Sequence, residues 1–127
     1  FFVLLTVSIP VHECLHALFW AAANRSFAGI SFGISNATPY CACGRPMRRS
    51  GYILGTLAPF ALLGVLPCVL ALCFCNMFAA AVGACGILCA GGDILVAGRA
   101  IFSRARLLCD HPERCGLYAF YAQNGAK

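Results

Sequence analysis

The chain has 127 residues, of which 61% are hydrophobic and 10% are charged, and its formal net charge is +5. Soluble domains contain about 25% charged residues, and a domain this small cannot bury most of its surface. The composition therefore excludes an ordinary soluble domain and favours a chain that is solvated by lipid. The basic balance does not indicate nucleic-acid binding, because the basic residues flank apolar segments, as they do in membrane proteins.

Three apolar segments make up most of the chain, at residues 1–23, 52–75 and 77–98. A helix rises about 1.5 Å per residue, so each segment is long enough to cross a hydrocarbon layer of about 30 Å. Asn76 is the only strongly polar residue between the second and third segments, and it marks a tight turn. We expect about three transmembrane helices within one membrane-embedded domain that covers residues 1–127.

Two polar stretches, residues 24–50 and 99–127, contain all nine basic residues. Three membrane crossings would place both stretches on the same side of the bilayer. The positive-inside rule makes that side the cytoplasm. The charge pattern therefore predicts an integral membrane protein with cytoplasmic basic loops.

Shorter elements are expected inside the polar stretches. Residues 30–35 alternate apolar with small or polar side chains, and residues 40–43 can form a return strand, which predicts a hairpin within residues 28–43. Asp110 followed by Pro112 and Glu113 is typical of a helix start, which predicts a short helix at about 111–122. The expected fold class is an all-α membrane protein with a small β-hairpin-like insertion after the first helix and a short C-terminal interfacial or cytoplasmic helix.

Residues 12–16 read His-Glu-Cys-Leu-His, an HExxH motif, within the first apolar segment. On a helix, His12 and His16 lie one turn apart on the same face and can bind one zinc ion. Glu13 is placed to take a proton from water as a general base. An acidic residue at the centre of a membrane helix costs about 2.5–3.5 kcal/mol, so a functional reason is expected. The alternative is a hydrogen-bonded polar cluster that only packs helices together.

A third zinc ligand is expected elsewhere, since catalytic zinc sites usually have three protein ligands and one open position. Besides Glu13, Asp93 is the only acidic residue within an apolar segment. Asp93 is six residues from Arg99, which is about 9 Å along a helix, and His16 is eight residues from Asn24, which is about 12 Å. The two side chains would therefore lie at nearly the same depth in the membrane. Asp93 is therefore the candidate ligand. Two alternatives remain, namely an ion pair of Asp93 with Arg99, and His111 as a ligand.

Ten cysteines are present, and Cys68, Cys73, Cys75, Cys85 and Cys89 lie within apolar runs, where a free thiol behaves as a small hydrophobe. Cys41, Cys43, Cys109 and Cys115 could form a second metal site or a disulfide. Their spacing does not match a zinc ribbon. Free thiols are the favoured interpretation.

These motifs resemble those of the putative zincin peptidases, small bacterial membrane proteins related to the site-2 protease group of intramembrane metalloproteases. The matching segments occur in the family's order at residues 12–16, 30–34, 38–41, 52–60, 91–95 and 109–118. The resemblance implies zinc held by His12, His16 and Asp93, with Glu13 as general base. The sequence departs from many site-2 proteases at the third ligand, where those enzymes often have Asn-Pro-Asp-Gly or Leu-Asp-Gly.

The expected function is that of an HExxH-type zinc metalloendopeptidase, intramembrane or membrane-associated, which hydrolyses peptide bonds with a zinc-activated water. The expected location is the bacterial inner membrane, the cofactor is Zn²⁺, and the partners are membrane lipid and a peptide or transmembrane protein substrate, with no nucleic acid. Two other functions remain open. The chain could be a catalytically inactive metal-binding membrane protein (a pseudoprotease), or a small transporter or structural membrane protein.

Overall fold

The computed structural model describes residues 2–35, 38–110 and 117–121. Its helices are α1 (Phe2–Asn24), α2 (Arg49–Phe74), α3 (Met77–Cys89) and α4 (Gly91–Phe102). Its strands are β1 (Ile30–Ser35), β2 (Thr38–Cys43), β3 (Met47–Arg48), β4 (Leu107–Asp110) and β5 (Leu117–Phe120). β1 and β2 form an antiparallel hairpin at the place where the alternating pattern predicts one. β3, β4 and β5 form a second antiparallel sheet in that order.

The long helix α2 is irregular at its centre. Pro59 has no N–H group to donate to the carbonyl four residues earlier, and it directly precedes a π-helical segment at Phe60–Val65. The helix then continues to Phe74 and ends at Cys75, which adopts a left-handed conformation. Pro59 therefore leaves the carbonyl of Gly55 without its usual helical partner.

Helices α2 and α3 form a tight hairpin. The side chain of Asn76 accepts hydrogen bonds from the backbone N–H groups of Phe78 and Ala79, which caps the start of α3. A Cβ atom added to Gly83 of α3 would lie 2.8 Å from the carbonyl oxygen of Gly64 in α2. The two helices can approach this closely because both positions lack a side chain.

The packed core lies at one end of the molecule, where α1, the first half of α2, and α4 meet the three-stranded sheet. Its largest buried side chains include Trp20, Tyr52 and Leu108. Strand β3 pairs with β4 at this end, so the two basic stretches of the sequence come together there. At the opposite end, the α2–α3 hairpin leaves large apolar side chains exposed, including Phe74 and Met77.

The prediction of about three transmembrane helices is wrong. Within the described residues, α2 alone is long and apolar enough to cross a membrane, and α3 and α4 could make a second crossing only as one span bent by 52°. Helix α1 is not among the candidate spans found in the described residues. The third apolar segment fails because the chain breaks at Ala90 into two helices.

The predicted all-α fold class is also wrong, since two small antiparallel sheets accompany the helices. The C-terminal helix expected at about 111–122 is contradicted at Leu117–Phe120, which forms strand β5. Residues 111–116 and 122 lie outside the described residues. Asp110 is the last residue of β4, and its carboxylate binds the hydroxyl of Tyr52. Residues 117–120 therefore form a strand because they pair with β4, in spite of the helix-start signature at Asp110.

Candidate metal centre

Three side chains from two helices converge on one point. His12 and His16 lie one turn apart on α1, and Asp93 lies at the start of α4. The Nε2 atom of His12 is 2.9 Å from Asp93 Oδ2 and 3.2 Å from His16 Nε2. The Nε2 atom of His16 is 3.4 Å from Asp93 Oδ1. In the part of the chain that the structure describes, no other group of three or more His, Cys, Asp or Glu side chains meets in this way.

The separations of these atoms match the ligand shell of a zinc ion. Ligands held at about 2.0–2.2 Å around tetrahedral zinc lie about 3.3–3.6 Å from one another. The measured edges of 2.9, 3.2 and 3.4 Å are close to this. Two imidazole nitrogens and one carboxylate oxygen are also donors that zinc accepts, and three such donors leave a fourth position open. The residues present therefore fit a catalytic zinc ion.

Helix α2 determines which nitrogen of His16 faces the site. The Nδ1 atom of His16 is 2.9 Å from the carbonyl oxygen of Gly55. A carbonyl oxygen can only accept a hydrogen bond, so Nδ1 of His16 carries the hydrogen. The lone pair of Nε2 is then free to face His12 and Asp93. Gly55 has this acceptor available because Pro59, four residues later, has no N–H to occupy it.

An aromatic stack supports His16 from the core side. Trp20 lies one turn further along α1, with its ring 5.2 Å from that of His16 and tilted by 19°. Tyr52 stacks on the other side of Trp20 at 5.8 Å and 16°. A Cβ added to Gly55 would collide with the Trp20 ring, so the indole lies directly against the α2 backbone. The stack restricts the rotation of the His16 ring.

Asp110 of strand β4 binds Tyr52, the ring of the stack that lies furthest from the candidate metal site. The hydroxyl of Tyr52 donates a 2.8 Å hydrogen bond to Asp110 Oδ1, and the backbone N–H of Cys43 also donates to this carboxylate. Burial raises the pKa of Asp110 to about 6 in spite of these hydrogen bonds. The candidate metal site is therefore connected through three aromatic rings to a partly buried carboxyl in the sheet.

The break at Ala90 gives Asp93 a favourable environment. Asp93 lies in the first turn of α4, where the N–H groups and the helix dipole favour a negative charge. Its carboxylate contacts both histidines. Arg99, the alternative partner considered from sequence, is exposed in the last turn of α4. The other sequence alternative, His111, lies outside the described residues.

Glu13 lies next to the three donors without belonging to their triangle. Its carboxylate is half-buried and accepts a hydrogen bond from the backbone of Cys41 in β2. Together with His12 it lines one end of an apolar cavity. Glu13 therefore lies near the three side chains and also lines the cavity.

The family described as putative zincin peptidase matches residues 5–107, which is most of the chain. The chain belongs to that family. No curated protein and no solved structure matches it. Zincin peptidases are named for zinc-dependent peptide hydrolysis, so family membership and the fit of the donors to zinc point to the same class of chemistry.

Sequence reasoning found the HExxH motif at residues 12–16 but missed the residues that support His16. Trp20 continues the four-residue spacing of His12 and His16, so its place on the same helix face could have been read from the sequence. The role of the Gly55 carbonyl could have been inferred only from Pro59 four residues later. The bond between Tyr52 and Asp110 joins residues 58 positions apart and has no local signal.

The cysteines near the site do not form a second metal cluster within the described residues. Cys41, Cys43 and Cys109 are buried free thiols. Burial raises the pKa of Cys41 to about 12, so its thiol is protonated and unreactive at neutral pH. Cys115 lies outside the described residues.

Proposed function

We propose that this zincin peptidase is an active metalloendopeptidase related to the site-2 proteases, with its site at the level of the membrane. The observation that carries the proposal is the His12, His16 and Asp93 triangle with Glu13 at its side, opening on an apolar cavity. A purely structural polar cluster would account for the contacts of 2.9 and 3.2 Å, which are also hydrogen-bond lengths, but not for the family match over residues 5–107. It would also not need a carboxylate beside an open cavity.

In this proposal, His12, His16 and Asp93 hold zinc, and Glu13 moves protons. A zinc ion at these ligands would lower the pKa of a coordinated water to about 7 and polarise the scissile carbonyl. Glu13 takes one proton from the attacking water and delivers it to the nitrogen of the leaving amine. The Gly55 carbonyl keeps His16 in the tautomer that ligation requires, and the backbone of Cys41 steadies the Glu13 carboxylate.

Membrane residence is supported by the apolar surface of the hairpin. Only 22% of the most apolar stretch of α2 is buried inside the protein, so α2 is not the buried core helix of a soluble domain. We infer that α2 crosses the bilayer, with α3 and α4 as a bent return. The arginine-rich end, including Arg48 and Arg106, then faces the cytoplasm of a bacterial cell. The substrate is a peptide or a transmembrane protein reached within the lipid.

The decisive experiment combines metal analysis with one conservative variant. Detergent-purified wild-type protein is expected to contain about one zinc ion per chain, and His16→Ala and Asp93→Ala are expected to lose it. Glu13→Gln is the matched control, because it removes the general base and leaves all three ligands. It should keep zinc and lose peptide cleavage.

Three results would contradict parts of this proposal. Zinc binding with cleavage that survives Glu13→Gln removes Glu13 as the base. Zinc binding without any cleavage in the wild type indicates the inactive metal-binding protein. A folded wild-type protein that never binds zinc rejects the metalloprotease and favours a transporter or structural role.

A further inference from the structure

An apolar cavity of about 510 Å³ lies next to the candidate metal centre. It lies between α1, the second half of α2, and α3, and Pro39 of β2 also lines it. Its walls are mostly aliphatic or small, with Val7, Leu63 and Val82 facing one another from three helices. Among the described residues that line it, the polar side chains are Ser8, His12 and Glu13.

The cavity is elongated and polar at one end. It extends along α1 from Leu4 to His12 and Glu13, and eight residues of helix correspond to about 12 Å. An extended peptide advances about 3.3–3.6 Å per residue, so this length accommodates about three or four residues. A volume of 510 Å³ lies in the range of about 300–1,000 Å³ that is usual for ligand sites.

We propose that this cavity is the substrate subsite on one side of the scissile bond, and that it takes an extended segment of about three apolar residues. The inference rests on the proposed peptidase function. The amide to be cut lies at Glu13 and His12, and the flanking side chains lie against the aliphatic walls. The described walls beyond Ser8 offer no polar side chain, so a charged substrate residue there would lose its hydration without gaining a partner.

The peptide is favoured over a lipid chain as occupant because of the polar end. A peptide places its amide against Glu13 and His12 while its side chains cover the apolar walls. A fatty acyl chain would cover the same walls and would leave both polar groups facing hydrocarbon. The cavity and the catalytic groups therefore form one continuous surface for a single extended ligand.

The first test compares peptides that differ only in the flanking segment. The full chain in detergent is given a fluorogenic peptide with three Leu or Val residues on one side of the cut bond, and matched peptides with Asp or Ala at those places. Asp is expected to lower kcat/KM at least tenfold. Ala is expected to lower it less.

The second test fills the cavity by mutation. Val82→Trp places an indole in the cavity, whereas Leu88→Trp adds the same ring to α3 at a position that is 78% exposed and does not line the cavity. Val82→Trp is expected to weaken use of the Leu/Val peptide at least tenfold and to weaken use of the Ala peptide less, with no loss of zinc. Leu88→Trp is expected to behave as the wild type.

A binding measurement makes the test independent of turnover. In the Glu13→Gln background, a dansyl-labelled Leu/Val peptide should bind more tightly than the Asp peptide, and Val82→Trp should remove that difference. Equal binding and cleavage of all peptides by wild type and Val82→Trp overturns the subsite while the peptidase stands. If a fatty acid occupies the cavity and the peptides do not compete with it, the inference is also overturned. Absence of cleavage in every wild-type assay rejects the peptidase, and the binding arm still decides the subsite.

Discussion

The hydroxyl of Tyr52 donates a 2.8 Å hydrogen bond to Asp110, joining helix α2 to strand β4. Tyr52 is fully buried and Asp110 is partly buried, and the Tyr52 ring is the outer member of the stack that ends on His16. A contact in the sheet is thus structurally connected to a proposed metal ligand. Separate changes to the hydrogen bond, the carboxyl group and the helix backbone can test each part of this connection.

Removal of the Tyr52 hydroxyl should destabilise the protein while leaving the zinc site in place. Tyr52→Phe keeps the stacked ring but leaves the buried Asp110 without one donor, which costs about 1–3 kcal/mol. We expect unfolding in detergent at a lower temperature with unchanged zinc content. The control is Tyr121→Phe, which removes a hydroxyl from an exposed residue and should not alter stability. Equal stability of Tyr52→Phe and wild type would contradict a structural role for the bond.

The free energy of unfolding should depend on pH through Asp110. Burial raises the pKa of Asp110 to about 6 in the folded protein, whereas the unfolded chain has the ordinary value of 3.8. The folded state therefore binds more protons between these values, and the contribution of Asp110 to stability is complete below pH 3.8 and lost as pH rises through about 6. Two pKa units correspond to about 3 kcal/mol.

This pH dependence is measured by comparing Asp110→Asn with wild type at pH 5 and pH 7.5. Asn is neutral at both values, so the stability difference between the two proteins should change with pH, in favour of wild type at pH 5. Other titrating groups are common to both proteins and cancel in this comparison. A difference that does not vary with pH would show that Asp110 has an ordinary pKa.

Pro59 should matter for zinc affinity although it touches no ligand. Pro59→Ala supplies an N–H that competes with His16 for the Gly55 carbonyl. Loss of such a partner to a ligating histidine typically lowers metal affinity about 10–100-fold. We expect weaker zinc binding in a competition assay with a chelating dye, together with equal or higher helix stability.

A second proline in the same helix provides the control for that experiment. Pro67→Ala restores an N–H group that can bond to the carbonyl of Leu63, four residues earlier. That carbonyl is not a hydrogen-bond partner given for any of the three proposed zinc ligands. Its zinc affinity should equal that of wild type. If both variants bind zinc with the affinity of the wild type, the Gly55 carbonyl does not control the tautomer of His16.

Trp20 should report zinc binding directly, because it is the only tryptophan of the chain and stacks on His16. Addition of zinc to metal-free protein is expected to change its fluorescence intensity with a stoichiometry of about one. Asp93→Ala keeps the stack and removes a ligand, so it should need far more zinc for the same change. An identical titration in both proteins would place the bound zinc elsewhere.

The sequence predicted the proposed ligands better than it predicted the fold. The HExxH pattern fixes the relative placement of His12 and His16 by helix geometry alone, and Asp93 could be selected because few acids lie in apolar segments. The structure brings these three side chains together. Their role as ligands stays a prediction until metal is measured.

The errors concern places where non-local contacts decide the structure. Apolar composition is continuous across Ala90, so it could not reveal the bend that separates α3 from α4. Residues 117–120 have a sequence compatible with a helix, but pairing with β4 makes them a strand. The hairpin at 30–43 was predictable, because its alternation and turn are local.

The position of Asp93 also determines when the site can be assembled during synthesis. His12 and Asp93 are 81 positions apart, and the whole α2–α3 hairpin lies between them. A growing chain therefore carries both histidines long before it carries the carboxylate, and α4 must emerge and turn at Ala90 before the three donors can meet. A nascent chain that ends before α4 has no complete set of the three side chains, so the candidate site cannot hold a metal ion through all of them until α4 has been made.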